Sequence, residues 1–260
     1  MGLLFLVGCN SYQKVLKNPD PAYKLDKAKE FYEKGAYDKA LPILEEMIPV
    51  YKGTKSIDDL YYMYADCHFH QSDFLLAAFH FKNIYDSYPN SKHAEESLYM
   101  YAYCNYMLSP DVSLDQTYTE KALEAFQLFI NVYPNSARVG ECNKLMDVLR
   151  QKLESKAFRA GMLYYRMGKY RAAALTFTNL LKEYPDTRYA EEASFLIIKS
   201  YYLYAENSIP SKQLERYELA LEAYKDFSIL FKSSKWMKEA LQLKESCNAN
   251  IEKIKNKIKT

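Results

Sequence analysis

Alanine and large apolar residues recur along this chain at helical spacing. Five alanines each precede an aromatic residue by eleven positions. The alanines are Ala40, Ala77, Ala122, Ala173 and Ala220, and the aromatic residues are Tyr51, Tyr88, Tyr133, Tyr184 and Phe231. Large side chains also follow each alanine by four and seven positions, which places all three on one face of a helix. Because alanine is small, a neighbouring helix can approach closely at that point. The pattern therefore predicts five packed helices of one design.

Turn signals separate these helices. Before two of the alanines, Gly35 and Gly168 suit the left-handed end of a preceding helix. After three of them come "YPNS" at 88–91, "YPNS" at 133–136 and "YPDT" at 184–187, where proline stops a helix and the polar residues supply turn or cap oxygens. The unit is thus helix, tight turn, helix and proline loop. Its spacing of 37, 45, 51 and 47 residues resembles a lengthened tetratricopeptide repeat.

The predicted fold class is all-α, an α-solenoid of about five tetratricopeptide-like helix pairs plus a C-terminal capping helix. The first helices of the pairs are predicted at 22–34, 57–71, 91–108, 136–167 and 187–206. Their partners are predicted at 37–50, 73–87, 116–132, 169–183 and 212–231, with a final helix near 235–258. We expect repeats one to three to occupy 22–134, and repeats four and five with the capping helix to occupy 135–258.

The front of the chain carries a different signal. Leu6-Val7-Gly8-Cys9 resembles the bacterial lipobox, in which small residues precede a cysteine whose thiol receives a diacylglycerol. Cleavage before the cysteine then frees its amine for a further acyl chain. Residues 1–8 are accordingly interpreted as a truncated lipoprotein signal, since no basic segment precedes the motif. Residues 9–21 are interpreted as a lipidated polar tether without helical period. Asn10, directly after the cysteine, favours the outer membrane over the inner one.

Composition excludes several functions. The net charge of +2 gives no footprint for nucleic acid. No phosphate-binding glycine loop or catalytic motif occurs, so we expect no enzyme and no cofactor. His68 and His70 would point to different helix faces, so no metal site is expected. Cys67, Cys104 and Cys247 each lie sixteen residues after a repeat aromatic, and Ser200 holds the same place, which predicts a packing position for small side chains.

Tyrosine is abundant, with 26 copies, and it clusters on the predicted first helices. The clusters are Tyr61-Tyr62-Met63-Tyr64, Tyr99-Met100-Tyr101-Ala102-Tyr103 and Tyr201-Tyr202-Leu203-Tyr204. Consecutive helix positions face different directions, so some of these rings must lie in the core and others can line a groove. Exposed tyrosines would suit recognition of peptides rich in aromatic residues.

Lipobox, five loose repeats with YPxS/T loops and one long central helix together resemble the BamD family, the tetratricopeptide lipoproteins of the outer-membrane β-barrel assembly machinery. The resemblance implies a lipid anchor on Cys9 in the outer membrane, facing the periplasm. It implies binding to the POTRA domains of BamA through Tyr184, Pro185, Asp186, Thr187 and Arg188. It also implies that unfolded β-barrel precursors bind a groove containing Tyr61, Tyr64, Tyr99 and Tyr103.

Two other functions remain open at this point. One is a periplasmic tetratricopeptide adaptor for peptidoglycan or division machinery, which co-purified partners would distinguish. The other is a glycan-binding lipoprotein of the SusD type. Such chains are much longer and carry a large insert, whereas only the short 205–214 stretch resembles an insert here.

Overall fold

A computed structural model describes the backbone of residues 7–259 and the side chains of residues 12–257. That part of the chain forms twelve helices and no strand. The helices are α1 (Val7–Leu16), α2 (Pro21–Glu33), α3 (Tyr37–Tyr51), α4 (Ile57–His70), α5 (Phe74–Ser87), α6 (Ala94–Leu108), α7 (Thr117–Val132), α8 (Val139–Arg166), α9 (Tyr170–Glu183), α10 (Ala190–Glu206), α11 (Pro210–Leu230) and α12 (Met237–Lys259). The predicted all-α fold of tetratricopeptide-like helix pairs is confirmed, and α2 to α12 match the eleven predicted helices.

The segment interpreted as a polar tether is partly helical, so that interpretation is wrong for α1. Tyr12, Val15 and Leu16 lie three and four positions apart and pack as one face against the first helix pair. Val15 is 4% exposed, and the Tyr12 ring meets Phe31 edge to face at 5.7 Å. The Cys9 side chain and residues 1–6, which include Leu6 of the lipobox, lie outside the described residues.

The repeat alanines lie at the centres of the helix pairs, as predicted. Ala40, Ala77, Ala122 and Ala173 are fully buried, and Ala220 is 1% exposed. The apolar residues that follow them fill the adjoining cores, for example Phe81 and Ile84 in the second pair. Burying one such large side chain stabilises the folded state by about 1.5–3 kcal/mol. The contacts between paired helices therefore contribute strongly to stability.

The chain divides into two compact units, the first ending at Leu149 and the second beginning at Arg150. This division falls inside α8 rather than at the expected 134/135 boundary. In the first unit, α2 to α7 stack as three pairs, and α8 adds Cys142, Met146 and Leu149 to the core that α4 to α7 form. In the second unit, the later part of α8 packs Phe158 and Met162 against α9 and α10.

The C-terminal helix α12 covers the last pair of the second unit. Its Ala240 lies in a core with Phe195 and Phe227, and its Cys247 and Ile251 lie in another with Tyr217 and Ala220. Apolar faces of α10 and α11 are thereby removed from water, which is the role predicted for a capping helix.

The small-residue position is buried in every repeat where it was predicted. Cys67 and Cys104 are fully buried, and Cys247 is 1% exposed; all three are free thiols. Burial raises the pKa of each of these thiols to about 12, so they remain protonated and unreactive. Ser200 is also fully buried, and its Oγ has no hydrogen-bond partner among the described residues. Packing, rather than chemistry, therefore defines this position.

Candidate partner-binding surfaces

The proline loops and the loop at 231–236 form the same hydrogen-bonded turn. At 184–189, the Thr187 N–H donates to the Tyr184 carbonyl at 3.1 Å, and the Tyr189 N–H lies 3.4 Å from Thr187 Oγ1. Equivalent hydroxyls accept from the residue two positions later at 3.1, 3.2 and 3.0 Å, and they belong to Ser91, Ser136 and Ser234. The predicted turn oxygens are thus confirmed for the serine and threonine members.

The turn fixes the fifth residue after the loop aromatic, and we call this the stacking position. A flat side chain there lies on an aromatic ring of an earlier helix. The pairs are His93 on Tyr62 (4.2 Å), Arg138 on Tyr99 (4.0 Å), Tyr189 on Phe158 (4.3 Å) and Trp236 on Phe195 (4.8 Å). Two of these pairs lie within the first unit and two within the second. Each loop is therefore held to its own unit by a planar contact.

In the first unit, the stacking position at 138 holds an arginine that is fully engaged. Arg138 Nη2 and Nε donate to the two carboxylate oxygens of Glu96 at 2.6 and 3.0 Å. Its guanidinium lies 4.0 Å from the centre of the Tyr99 ring, and Glu141 lies 3.6 Å from Nη1. A bidentate pair of this kind fixes the side chain in one orientation. Arg138 therefore stabilises the turn and is not available to a partner.

In the second unit, the arginine comes one position earlier. Tyr189 occupies the stacking position, and Arg188 is exposed beside it. Arg188 Nη2 donates to Tyr189 Oη at 2.7 Å, and within the described residues Arg188 forms no ion pair. Pro185 and Asp186 are exposed as well. An exposed guanidinium, a carboxylate and a proline thus lie together on a fixed turn, and the guanidinium also lies 4.8 Å from the centre of the Tyr189 ring.

Thr187 has a different role from its neighbours. It is 5% exposed, and its Oγ1 donates to Glu154 Oε2 on α8 at 2.8 Å. Tyr184 is half-buried against the core of α9 and α10. The structure therefore corrects the predicted contact set: Pro185, Asp186 and Arg188 are accessible, whereas Thr187 anchors the loop from inside.

Tyr189 lies close to two arginines, Arg188 and Arg159, and to the hydroxyl of Ser155. Burial alone would raise its pKa, but hydrogen bonds with Ser155 and Arg188 and the charge of Arg159 hold the pKa below its ordinary value. Its ring is parallel to Phe158 within 10°, and Phe158 in turn meets Phe177 at 5.6 Å. Arg188 therefore lies beside a stack of three rings, Tyr189, Phe158 and Phe177, which reaches the core of the second unit. We call this stack the ring column.

The four predicted precursor-binding tyrosines lie in different settings. Tyr61 is half-buried and tilts against Tyr88 of the first proline loop at 6.1 Å. Tyr64 is half-buried against the rings of His68 and His80, each at 4.8 Å. Tyr103 is half-buried and stacks on Tyr99 at 5.9 Å and on Tyr106 at 5.8 Å. These three rings are partly accessible.

Tyr99 does not belong with them. It is 3% exposed, because Arg138 covers one side and Phe126 and Phe129 pack nearby at 6.3 and 5.8 Å. Burial, together with a hydrogen bond to Glu141, raises its pKa. The prediction that Tyr99 lines a groove is therefore wrong; the ring is the base of the stacking pair.

Exposed apolar residues add a feature of the first unit that the sequence reading missed. On α5, Leu75, Leu76 and Phe79 are 56%, 42% and 64% exposed. Phe79 lies four positions after Leu75 and three after Leu76, so its ring is close to both leucines on the helix surface. The adjacent Ala77 and Ala78 could have signalled this face, since they lie on the buried side of α5 and leave Leu75, Leu76 and Phe79 outside it.

The titratable cluster between α4 and α5 is internal. His68 and His80 stack at 5.6 Å, and burial together with His68 lowers the pKa of His80 to about 4. Within the described residues, no three histidine, cysteine or acidic side chains are grouped as metal ligands usually are. None of the described helices is long and apolar enough to cross a bilayer.

The fold defines a class: an all-α repeat protein built from tetratricopeptide-like helix pairs. Residues 17–217 match the family model YfiO, described as outer membrane lipoprotein, and the chain belongs to this family. It is 26% identical over 238 residues to a putative outer membrane protein assembly factor BamD of Aquifex aeolicus, covering 86% of this chain and 72% of that protein.

A second relative is the outer membrane protein assembly factor BamD of Caulobacter vibrioides. The identity is 28% over 114 residues, or 44% of this chain, and the match spans only 37% of the Caulobacter protein. Among solved structures, the tetratricopeptide domain of P58(IPK) aligns with 98% of this chain and 67% of its own, at 16% identity and a TM-score of 0.41.

Proposed function

We propose that this protein is a lipid-anchored scaffold of the outer-membrane β-barrel assembly machinery that faces the periplasm. Membership of the YfiO family over residues 17–217 is the observation that carries this proposal. Relatives named BamD assembly factors support the proposal, and the match to the Aquifex protein extends over 86% of this chain.

Within this function, the 184–188 loop binds the POTRA domains of BamA. The support is geometric: Arg188 has no ion-pair partner in the described part of the chain and projects from a turn fixed by Thr187 and Tyr189. An exposed arginine on a rigid base is suited to a carboxylate of a partner, because little side-chain freedom remains to be lost on binding.

The aromatic surface of the first unit binds unfolded β-barrel precursors. Tyr61, Tyr64 and Tyr103 keep part of each ring accessible, and the exposed Leu75 and Phe79 add apolar area in the same unit. Such rings bind extended, aromatic-rich segments at low entropic cost. An acylated Cys9 then holds the scaffold at the membrane, since two chains suffice for stable anchoring.

The BamA interaction is tested by co-purification from detergent-solubilised envelopes. Arg188→Ala is expected to reduce BamA recovery about tenfold, the usual loss for a well-placed interface arginine. Lys235→Ala is the matched control, because Lys235 lies at the same turn position beside Trp236. Unchanged BamA recovery with Arg188→Ala, or recovery of division or peptidoglycan proteins instead, would overturn the proposal.

The anchor is tested separately. Cells grown with an alkyne fatty acid should label the wild-type protein, and Cys9→Ser should be unlabelled and released from the membrane fraction. Cys142→Ser controls for cysteine loss, because Cys142 is buried and its raised pKa makes acylation unfavourable. Labelling that persists in Cys9→Ser would rule out Cys9 as the anchor.

A further inference from the structure

The second unit contains an apolar groove that neither the proposed BamA loop nor the aromatic surface uses. A cavity of about 350 Å³ opens between α9, α10 and α11. Its walls are mostly apolar and are formed by Leu181, Ile197, Tyr201, Leu219, Ala223, Phe227 and Leu230. Leu230 is 70% exposed and also lines an adjoining cavity of mixed polarity beside the 231–234 loop.

The groove has a charged rim of one sign. Glu222 and Asp226 are exposed, lie four positions apart on α11 and line the cavity. Within the described residues neither carboxylate forms an ion pair or a hydrogen bond. Burial raises the pKa of Tyr201; the charge of Arg171 lowers this pKa, and the charge of Glu222 raises it. Arg171 lines a separate cavity on the 168–175 side. The open edge on α11 is therefore acidic, and its two carboxylates have no ion-pair partner in the described part of the chain.

The geometry of α11 indicates the form of ligand. Leu219, Ala223, Phe227 and Leu230 follow one another at helical spacing and form a straight stripe. At 1.5 Å per residue, the stripe is about 16 Å long, which matches about three turns of a helix. Grooves between helices accept an amphipathic helix through apolar anchors on one face, whereas a buried small molecule would need a more enclosed site.

We propose that this groove binds an amphipathic helix of a partner protein that carries large apolar side chains on one face and lysine or arginine along one flank. The apolar face fills the cavity between α9 and α11, and the basic flank pairs with Glu222 and Asp226. This site is independent of the proposed BamA contact, because it uses neither Arg188 nor its loop.

The test uses two labelled peptides of about 14 residues, long enough to cover the stripe. Both carry leucine at helical spacing; one has lysine along the flank, and the other has glutamate at the same positions. Fluorescence anisotropy with the full chain should show tighter binding of the lysine peptide. Glu222→Gln with Asp226→Asn should weaken that binding about tenfold, the sum of two modest ion pairs, and remove the preference for lysine.

Glu215→Gln with Glu218→Gln is the matched control, because it removes the same charge from exposed positions of α11 outside the cavity. It should change affinity less than about twofold. Leu230→Ser, at a site too exposed to affect folding, should weaken both peptides. The proposal is overturned if the lysine peptide does not bind, if the glutamate peptide binds equally well, or if the control pair weakens binding as much as the cavity pair.

Discussion

The loops at 133–138 and 184–189 share a turn but use arginine in opposite ways. Both turns are closed by a hydroxyl, from Ser136 or Thr187, that accepts from the backbone at the stacking position. At that position Arg138 is bound to Glu96 and Tyr99, whereas Tyr189 leaves Arg188 exposed one position earlier. A shift of one residue therefore separates an arginine that holds the fold from one that is available to a partner.

The largest effect is expected from disturbing the ring column beneath Arg188. A Cβ on Gly161 would lie 2.5 Å from Cε1 of the buried Phe177, which packs on Phe158 below Tyr189. Gly161→Ala should therefore destabilise the second unit by about 2 kcal/mol, a typical cost of overpacking. It should also reduce BamA recovery, because Tyr189 and Arg188 rest on that column.

Gly140→Ala is the matched control on the same helix. A Cβ there has open space within 4 Å, so the helix should gain about 0.5–1 kcal/mol from the change. Urea unfolding of both variants measures the two effects. Equal stability of the two variants would show that Phe177 moves without cost and that the column does not support the loop.

Exchanging the two arginines for alanine tests the comparison directly. Arg138→Ala leaves Glu96 without its cation and uncovers Tyr99, so the unfolding free energy should fall by about 1–2 kcal/mol. Arg188→Ala should cost less than about 0.5 kcal/mol, since the side chain is exposed. Denaturant midpoints measure both, and a larger loss with Arg188→Ala would contradict the assigned roles.

The smallest effect concerns the same position in the 88–93 loop. His93 stacks on Tyr62 and lies 2.6 Å from Asp59, which also pairs with Lys92 at 2.9 Å. Burial raises the pKa of Asp59, but these hydrogen bonds more than offset it and hold the pKa below its ordinary value. Because the folded pKa is the lower one, the contribution is present above the unfolded pKa of about 4 and is lost as pH falls through the folded value.

Asp59→Asn should therefore lower the unfolding free energy by less than about 1 kcal/mol near pH 7, as expected for a partly exposed pair. The difference from wild type should shrink as the pH falls below about 4. Denaturant unfolding at pH 7 and at several acid pH values measures it. A difference that persists at low pH would show that Asp59 acts through packing and not through its charge.

Much of the fold could be predicted, because each repeat alanine marks a close contact between helices and each proline loop marks the end of a helix. The three boundaries that differ most have one cause. Helices α6, α8 and α10 were predicted to begin at 91, 136 and 187 but begin at Ala94, Val139 and Ala190, because the turn occupies those three residues. Helix α1 was missed because a face of only Tyr12, Val15 and Leu16 is too short to show a period.

The stacking position could not be predicted. Histidine, arginine, tyrosine and tryptophan occupy it, and these residues share a flat side chain but no charge or hydropathy. Their partner rings lie 31, 39, 31 and 41 residues earlier, so no fixed spacing reveals them. For the same reason Tyr99 was grouped with accessible tyrosines. Arg188 is exposed because Tyr189, and not the arginine, stacks on Phe158. The sequence does not show which of the two side chains makes this contact.

Helix α1 has a consequence for how far the scaffold can reach. Tyr12 and Val15 already contact the first repeat, three and six residues after Cys9. At 1.5 Å per helical residue, these distances along the axis are only about 5 and 9 Å. If Cys9 is acylated as proposed, the first repeat would therefore lie close to the lipid headgroups. The short helix α1, rather than a flexible linker, would set the distance between this repeat and the bilayer.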